Sequence, residues 1–296
     1  MVKNKIISIV GLTSSGKSGL SLVLASLFNG EIVSADSRQI YKGMDWCTGK
    51  VTKAEMQQVP HHLIDILPTN SNYSLSQFQA DAYTAIDDIL SRGKLPFLVG
   101  GTGLYVRSVV QGYNMSSAGF NGEERQQLLL LPREDLLKKL ENLGVTSVDS
   151  QKSNRHLVRL IEKATIGDIG EKPNNPKYDV LQIGIEWTRE QIYSRIEQRL
   201  DDRLPHILTE VENLLKTGTT PEFLEKMGLE AKMAMYYLQG KYTSYDHFRS
   251  ELLKEERHFA KRQNTWFKKD TETIWLDGNS DYVTSAKQLI KKFLEK

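Results

Sequence analysis

The sequence predicts an α/β fold: a parallel sheet of the P-loop NTPase type, flanked by helices and interrupted by a small helical insertion. Apolar, β-branched runs alternate with helical patterns through the first hundred residues, and a phosphate-binding pattern follows the first run. A turn-rich stretch beginning at Gln111 then leads into Leu-rich, charged sequence. We therefore assign residues 1–112 and 151–296 to a core with C-terminal helices, and residues 113–150 to the insertion.

The period of the apolar residues predicts the individual elements. Strands are predicted at residues 6–10, 31–35, 95–99 and 180–185, where apolar and β-branched side chains predominate. Helices are predicted after the first strand, at residues 74–90 and at residues 188–200, the last opened by a capping box of Thr188 and Gln191. The remaining sequence to Phe293 is predicted to be mostly helical.

The loop after the first strand matches the phosphate-binding pattern G-x-x-x-x-G-K-[ST]. It consists of Gly11, Leu12, Thr13, Ser14, Ser15, Gly16, Lys17 and Ser18. In such a loop backbone N–H groups point at phosphate, the Lys supplies a mobile positive charge, and the final hydroxyl binds Mg²⁺. We therefore predict a phosphate site over this loop, with residues 13–18 contacting the substrate, Ser18 as the metal ligand and Mg²⁺ as the cofactor.

Two further loops follow predicted strands at the same edge of the sheet. Asp36 comes directly after the second strand, and Thr102 lies in the Gly-Gly-Thr-Gly turn after the strand at residues 95–99. Ligands of open α/β sheets bind at the carboxyl ends of the strands, so both side chains are candidates for the site. Two alternatives remain open: Asp36 as the N-cap of the next helix, and the glycines as residues that merely permit a tight turn.

Composition excludes several other classes of protein. The single Cys47 cannot form an internal disulfide, and one Cys among six scattered His residues offers no zinc-type spacing. No apolar run approaches the roughly 20 residues that span a bilayer. We expect a cytoplasmic protein without membrane contact, whereas a net charge of +2 argues neither for nor against nucleic acid.

Together these loops resemble the tRNA dimethylallyltransferase (tRNA isopentenyltransferase) family, in its bacterial form. The matching segments are residues 11–18, 36–45, 61–65, 73–82, 93–105, 195–199 and 260–267. The resemblance implies transfer of a dimethylallyl group from dimethylallyl diphosphate to the exocyclic amine of the adenosine 3′-adjacent to the anticodon of tRNA. It further implies that the phosphate loop binds the diphosphate of a prenyl donor rather than ATP.

The resemblance also assigns catalytic roles. Asp36 accepts the proton of the amine, Thr102 positions the reacting groups, and Arg199 joins Lys17 in stabilising the charge that develops on the diphosphate. Arg195 and Arg199 share one helical face, and spacing alone favours a solvated surface paired with the nearby Glu197.

The predicted partners are the anticodon stem-loop of tRNA and dimethylallyl diphosphate, bound by a monomer. The residues predicted to contact tRNA are Asp36, Ser37, Arg38, Gln39, Arg155, His156, Arg159, Lys261 and Arg262. The resemblance itself implies the contacts of Arg38, Gln39, Arg155, His156 and Arg159. Lys261 and Arg262 belong to a basic cluster around Trp266, where Lys and Arg could hold RNA phosphates or could simply be solvated.

The chain departs from the family pattern at two places. At residues 227–230 the Tyr and Lys of a Gly-Tyr-Lys-Glu-like stretch are missing, which puts any RNA contact there in doubt. The insertion also looks shorter than is common. Two alternative functions remain: a small-molecule or nucleotide kinase, which the same phosphate loop and parallel sheet would serve, and a non-catalytic RNA-binding paralogue that has lost recognition residues.

Overall fold

The computed structural model describes residues 3–115, 122–145, 148–149, 151–165 and 174–296. The chain divides into two compact units. The first unit consists of Met1–Gly112 with Pro176–Lys296, and the second consists of Tyr113–Asn175. No helix within the described ranges is long and apolar enough to cross a membrane.

The first unit is built on a parallel sheet with the strand order β3-β2-β4-β1-β5-β6. The strands are β1 (Lys5–Val10), β2 (Gly30–Ser34), β3 (His61–His62), β4 (Leu95–Gly100), β5 (Asp179–Glu186) and β6 (Ile274–Asp277). Strands β1, β2 and β4 are buried almost throughout, because helices cover both faces of the sheet and exclude water from their apolar side chains. The predicted α/β class and parallel sheet are thereby confirmed.

The helices lie between and after these strands. In chain order they are α1 (Lys17–Leu27), α2 (Asp45–Thr48), α3 (Lys53–Gln58), α4 (Leu75–Ser91), α5 (Gly103–Val110), α6 (Gly122–Leu130), α7 (Arg133–Asn142), α8 (Asn154–Thr165), α9 (Arg189–Lys216), α10 (Pro221–Met227), α11 (Leu229–Leu238), α12 (Tyr245–Phe267) and α13 (Tyr282–Glu295). Of these, α4 and α5 share an apolar core with one face of the sheet, and α1 and α13 share another with the opposite face. Helices α9 to α12 pack together around a third core.

Helix α9 extends beyond the predicted residues 188–200. Its N-terminus is the predicted one, since the Thr188 hydroxyl accepts the Gln191 N–H and the Gln191 side chain accepts the Thr188 N–H. It continues to Lys216 because the buried apolar stripe of Ile196 and Leu200 runs on through Ile207 into the core with α11 and α12. The short edge strands β3 and β6 were not predicted, and β6 interrupts the region that was expected to be mostly helical.

The described residues of the second unit include the helices α6, α7 and α8, and the unit runs past residue 150. Helix α8 packs its apolar stripe of Leu157, Val158 and Ile161 against Leu136 and Leu140 of α7. The apolar faces of both helices therefore require each other, and the unit extends to Asn175.

A buried carboxylate at the start of β2 ties the sheet edge together. Glu31 is 2% exposed and accepts hydrogen bonds from Arg92 at 2.5 and 2.8 Å, from Lys94 at 2.7 Å and from His62 at 2.7 Å. Arg92 lies at the C-terminus of α4, Lys94 directly precedes β4, and His62 belongs to β3. One carboxylate thus fixes the edge strand against the sheet.

We expect Glu31→Gln to lower the free energy of unfolding by about 2 to 3 kcal/mol near neutral pH, because a neutral amide cannot balance cationic donors. The hydrogen bonds from Arg92 lower the pKa of Glu31 below its ordinary value of 4.5. Its stabilisation is therefore present above pH 4.5 and is lost as the pH falls through the lower folded-state pKa. Urea unfolding of both proteins across this range measures the difference. The exposed Glu295→Gln serves as the control, and a variant that differs from the parent most at acidic pH would contradict the assignment.

Candidate active site

Side chains from outside hold the phosphate loop, which joins β1 to α1. Gly16 precedes α1 with φ of 94°, a conformation that favours glycine. The Arg195 Nε donates to the Ser14 carbonyl at 2.9 Å, and the Trp187 Nε1 donates to the Ser15 carbonyl at 2.9 Å. With these carbonyls turned toward α9, the loop can present its N–H groups to an anion.

Gln263 of α12 links the phosphate loop to the loop after β4. Its Oε1 accepts the Thr13 N–H at 2.8 Å, and its Nε2 donates to the Gly101 carbonyl at 3.1 Å. The side chain is 8% exposed, so both bonds lie away from water. Sequence reasoning gave Gln263 no role, since nothing local in the sequence pairs it with a loop at the other end of the chain.

The loops after β2 and β4 also contact each other directly. The Ser37 N–H donates to the Thr102 Oγ1 at 3.2 Å, and the Thr102 N–H donates to the Ala35 carbonyl at 3.4 Å. Gly100 permits this approach, because a Cβ at that position would overlap the Ala35 carbonyl. The arrangement places Thr102 beside the Asp36 loop.

Asp36 does not cap a helix. Its Oδ1 accepts the Arg38 N–H at 2.9 Å within the loop, and the next helix, α2, begins only at Asp45 with Met44 as its N-cap. The N-cap alternative is therefore wrong. Asp36 is half-buried and stands in electrostatic range of Lys17 and Arg199.

A cavity of about 370 Å³ brings most of the predicted site residues of the first unit together. Its walls include Thr13, Lys17, Ser18, Asp36, Ser37, Arg38, Gln39, Thr102, Arg199 and Arg262. The aromatic rings of Phe259 and Trp266 line it as well. The cavity thus combines a cationic phosphate loop, a carboxylate and an apolar rim at the carboxyl ends of the strands.

Lys17 and Arg199 form the cationic end of this cavity. The Arg199 Nη1 donates to the Thr13 Oγ1 at 2.9 Å, and burial lowers the pKa of Arg199, an effect to which the neighbouring Arg203 adds. Burial, together with the charge of Arg199, lowers the pKa of Lys17 to about 8, although Asp36 opposes the shift. Two partly buried cations that line the same cavity make a strong site for an anion.

The same two cations line a second cavity of about 380 Å³ on the side of Gly16 and Arg195. Arg199 is only partly exposed and its Nη1 donates to the Thr13 hydroxyl, whereas Arg195 is exposed but still donates to the Ser14 carbonyl, so both side chains contact the phosphate loop. Glu197 pairs instead with Arg249 at 3.0 Å and with Arg257 at 2.9 Å.

The donor set suits Mg²⁺ bound through a substrate. The described residues contain no group of three or more His, Cys, Asp or Glu side chains that could hold a metal ion by themselves. Ser18 is exposed and lines both cavities, so its hydroxyl is accessible to an ion. Mg²⁺ commonly takes one or two protein oxygens and fills its other positions with phosphate and water.

Of the residues predicted to contact RNA, Arg38 and Arg262 flank Phe259 at the cavity, with guanidinium carbons 5.5 and 5.8 Å from the ring centroid. Lys261 is exposed on α12. Asp36, Ser37 and Gln39 lie in the loop after β2 and line the same cavity. The remaining three lie on α8 of the second unit: Arg155 and His156 are exposed, whereas Arg159 pairs with Glu162 at 3.2 Å.

The divergent segment at residues 227–230 contributes to the cavity through Glu230. This carboxylate lines the cavity and stands 3.7 Å from both the Arg38 Nη1 and the Arg203 Nη2. The segment therefore supplies a negative charge that orients Arg38. The sequence analysis did not predict this role, because it considered only the loss of the Tyr and the Lys.

Comparisons with known proteins agree on one family. The model of a family described as IPP transferase matches residues 39–270. The chain is 37% identical to tRNA dimethylallyltransferase 2 of Geotalea uraniireducens, with 98% of each chain covered. It is similar to the solved structure of a tRNA isopentenylpyrophosphate transferase from Bacillus halodurans, with a TM-score of 0.76, 32% identity, and 99% of this chain and 97% of that chain covered. A structure of a eukaryotic dimethylallyltransferase acting on tRNA gives a TM-score of 0.81 at 26% identity, over 97% of this chain and 77% of that chain.

We expect Gln263→Ala to weaken the binding of inorganic diphosphate by on the order of tenfold, since about 1.4 kcal/mol of lost loop order corresponds to that factor. Calorimetric titration measures the affinity. The neighbouring, exposed Asn264→Ala is the matched control. Equal affinity of Gln263→Ala and the parent would show that the loop does not need this link.

Proposed function

The chain belongs to the IPP transferase family, and we propose from this membership that its phosphate loop binds the diphosphate of dimethylallyl diphosphate. The protein transfers the dimethylallyl group to the exocyclic amine of the adenosine 3′-adjacent to the anticodon of tRNA. Diphosphate is the second product. The observation that carries the proposal is the single cavity in which the phosphate loop, Asp36 and Thr102 meet.

The leaving group is stabilised at the cationic end. Breakage of the allylic C–O bond moves an electron pair onto the diphosphate oxygen, and preorganised cations lower the barrier most when they meet charge as it develops. Lys17 and Arg199 are fixed there by the Leu12 carbonyl and the Thr13 hydroxyl, at 3.2 and 2.9 Å. Both cations are in place before the bond breaks.

The nucleophile needs a proton acceptor. The lone pair of an exocyclic adenine amine is delocalised into the ring, so its attack on the allylic carbon is aided by removal of a proton as the bond forms. Asp36 lines the cavity and takes that proton, while Thr102 stands beside it through the contact with Ser37. The hydroxyl of Thr102 orients the reacting groups.

Magnesium is part of this proposal, with Ser18 as the residue that would hold it. Bound there, the ion would neutralise charge on the diphosphate. The free, buried Cys47 suits a reducing compartment, so we take the protein to act in the cytoplasm. That it acts as a monomer is a separate part of the proposal.

The RNA side of the cavity has an aromatic and cationic rim. Trp266 is 37% exposed, with the Arg107 guanidinium carbon 5.0 Å from its ring centroid, and Arg262 lies on the same helix. Enzymes that modify a base take it out of the stack and hold it among aromatic and Arg planes. This rim receives the extruded adenosine, and Lys261 contacts the backbone.

One assay tests the function. Unmodified tRNA is incubated with the protein and with either labelled dimethylallyl diphosphate or γ-labelled ATP, and the nucleosides are analysed by mass spectrometry. We expect the prenyl label on the adenosine next to the anticodon and no transfer from ATP. Transfer from ATP would indicate a kinase, and binding of tRNA without transfer of either label would indicate a non-catalytic RNA-binding protein.

We expect Asp36→Asn to reduce the single-turnover rate by about 10²- to 10⁴-fold, the usual loss for a general base. The amide oxygen can still accept the Arg38 N–H, so the loop should keep its conformation and both substrates should bind. Asp36→Ala should lose the same chemistry and also show a lower melting temperature. A near-normal rate in Asp36→Asn would contradict the role.

Joint replacement of Lys261 and Arg262 by Ala should weaken tRNA binding and flatten its dependence on salt. Each lost phosphate contact should reduce the slope of log K against log salt by about one. Filter binding over a salt series measures the slope. The exposed pair Lys291 and Lys292 on α13 provides a control of equal charge change, and the same slope in both double variants would show that Lys261 and Arg262 are only solvated.

A further inference from the structure

A carboxylate is buried in an apolar stripe behind the cationic end of the cavity. Glu256 is 3% exposed and shares the inner face of α12 with Leu252, Leu253 and Ala260, which belong to the core with α9 and α11. Its Oε1 has no hydrogen-bond partner among the described residues. An ionised carboxylate in such surroundings is costly unless it is well paired.

Four charged groups from three neighbouring parts of the fold come within electrostatic range of Glu256. They are Arg38 from the loop after β2, Arg199 and Arg203 from α9, and Glu230 from α11. Glu230 already stands 3.7 Å from both Arg38 and Arg203. The Arg203 Nη2 also donates to the Trp46 carbonyl.

Two carboxylates in one buried cluster do not both ionise easily. Burial and the charge of Glu230 raise the pKa of Glu256 to about 8, against the opposing effect of Arg203, Arg199 and Arg38. Glu230 is the carboxylate that faces Arg38 and Arg203 at 3.7 Å, and Glu256, whose Oε1 has no hydrogen-bond partner among the described residues, is the one that keeps a proton.

We propose that Glu256 is a positioning residue that acts as a neutral acid, so that Glu230 balances Arg38 and Arg203 while the charge of Arg199 stays available to the diphosphate. Loss of the Glu256 proton creates an internal anion that competes with the diphosphate for Arg199. Diphosphate binding should then weaken at alkaline pH through a residue that touches no substrate. This proposal rests on the proposed function, because it takes Arg199 to bind a diphosphate.

The test compares inorganic diphosphate binding by the parent and by Glu256→Gln near pH 7 and near pH 9. Glutamine reproduces the neutral acid but cannot ionise. One pH unit above a pKa near 8, about a tenth of Glu256 remains protonated, so the affinity of the parent should fall about tenfold through this group. Deprotonation of Lys17 lowers the affinity of both proteins between pH 7 and pH 9. Because Glu256→Gln lacks the ionising carboxyl, its loss of diphosphate affinity over this range should be about tenfold smaller than that of the parent. The neighbouring Glu255→Gln, whose side chain is 41% exposed, should show the fall of the parent.

Three results of this binding experiment would contradict the role of Glu256. Equal falls in the parent and in Glu256→Gln would overturn the proposal and leave the proposed function intact. Weaker binding by Glu256→Gln near pH 7 would overturn it too, since the ionised form would then be required. Failure of the parent to bind diphosphate near pH 7 would overturn the proposed function together with this inference.

Infrared spectroscopy of the parent gives a second measurement that does not depend on the folding of a variant. A carbonyl band of a protonated carboxylic acid should be present near pH 7, where ordinary carboxyl groups are ionised. It should disappear on raising the pH to about 9. Absence of the band near pH 7 would contradict a neutral Glu256.

Discussion

The phosphate loop keeps its shape because residues from the other end of the chain hold it. Its carbonyl groups at Ser14 and Ser15 accept hydrogen bonds from Arg195 and Trp187, and Gln263 takes the Thr13 N–H. The Thr13 N–H is thus occupied, and because the Ser14 and Ser15 carbonyls are satisfied from outside the loop, it is the other loop N–H groups that can turn toward an anion. The sheet edge and the C-terminal helices must therefore fold as one structure before the site exists.

This constraint also determines where the chemistry takes place. Gln263 joins the phosphate loop to the turn after β4, and Thr102 joins that turn to the Asp36 loop, so hydrogen bonds connect three strand ends. Cations thus stand at one end of the cavity and a carboxylate at the next strand end. The cations can therefore stabilise the leaving diphosphate while the carboxylate accepts the proton of the amine. Glu256 determines how much of the charge of Arg199 is available to the diphosphate.

Local sequence predicted the parts of this site that local structure makes. The loop from Gly11 to Ser18 and the cap at Thr188 depend on neighbouring residues, and both were predicted in place. The role of Gln263 could not be predicted, since its partner Thr13 lies 250 residues away. The end of the second unit was not predicted for the same reason, because the apolar stripe of α8 is buried by packing against another helix, α7.

The fate of the bridging oxygen of the donor tests the central claim most directly. Dimethylallyl diphosphate labelled with 18O at the oxygen that bridges the allylic carbon and phosphorus is incubated with tRNA and the protein. The masses of the products are then measured by mass spectrometry. Because Lys17 and Arg199 stabilise a leaving diphosphate, we expect all of the heavy oxygen in the released diphosphate, in amounts equal to the prenylated tRNA. Heavy oxygen in dimethylallyl alcohol, or a phosphorylated tRNA, would mean that a P–O bond breaks and would contradict it.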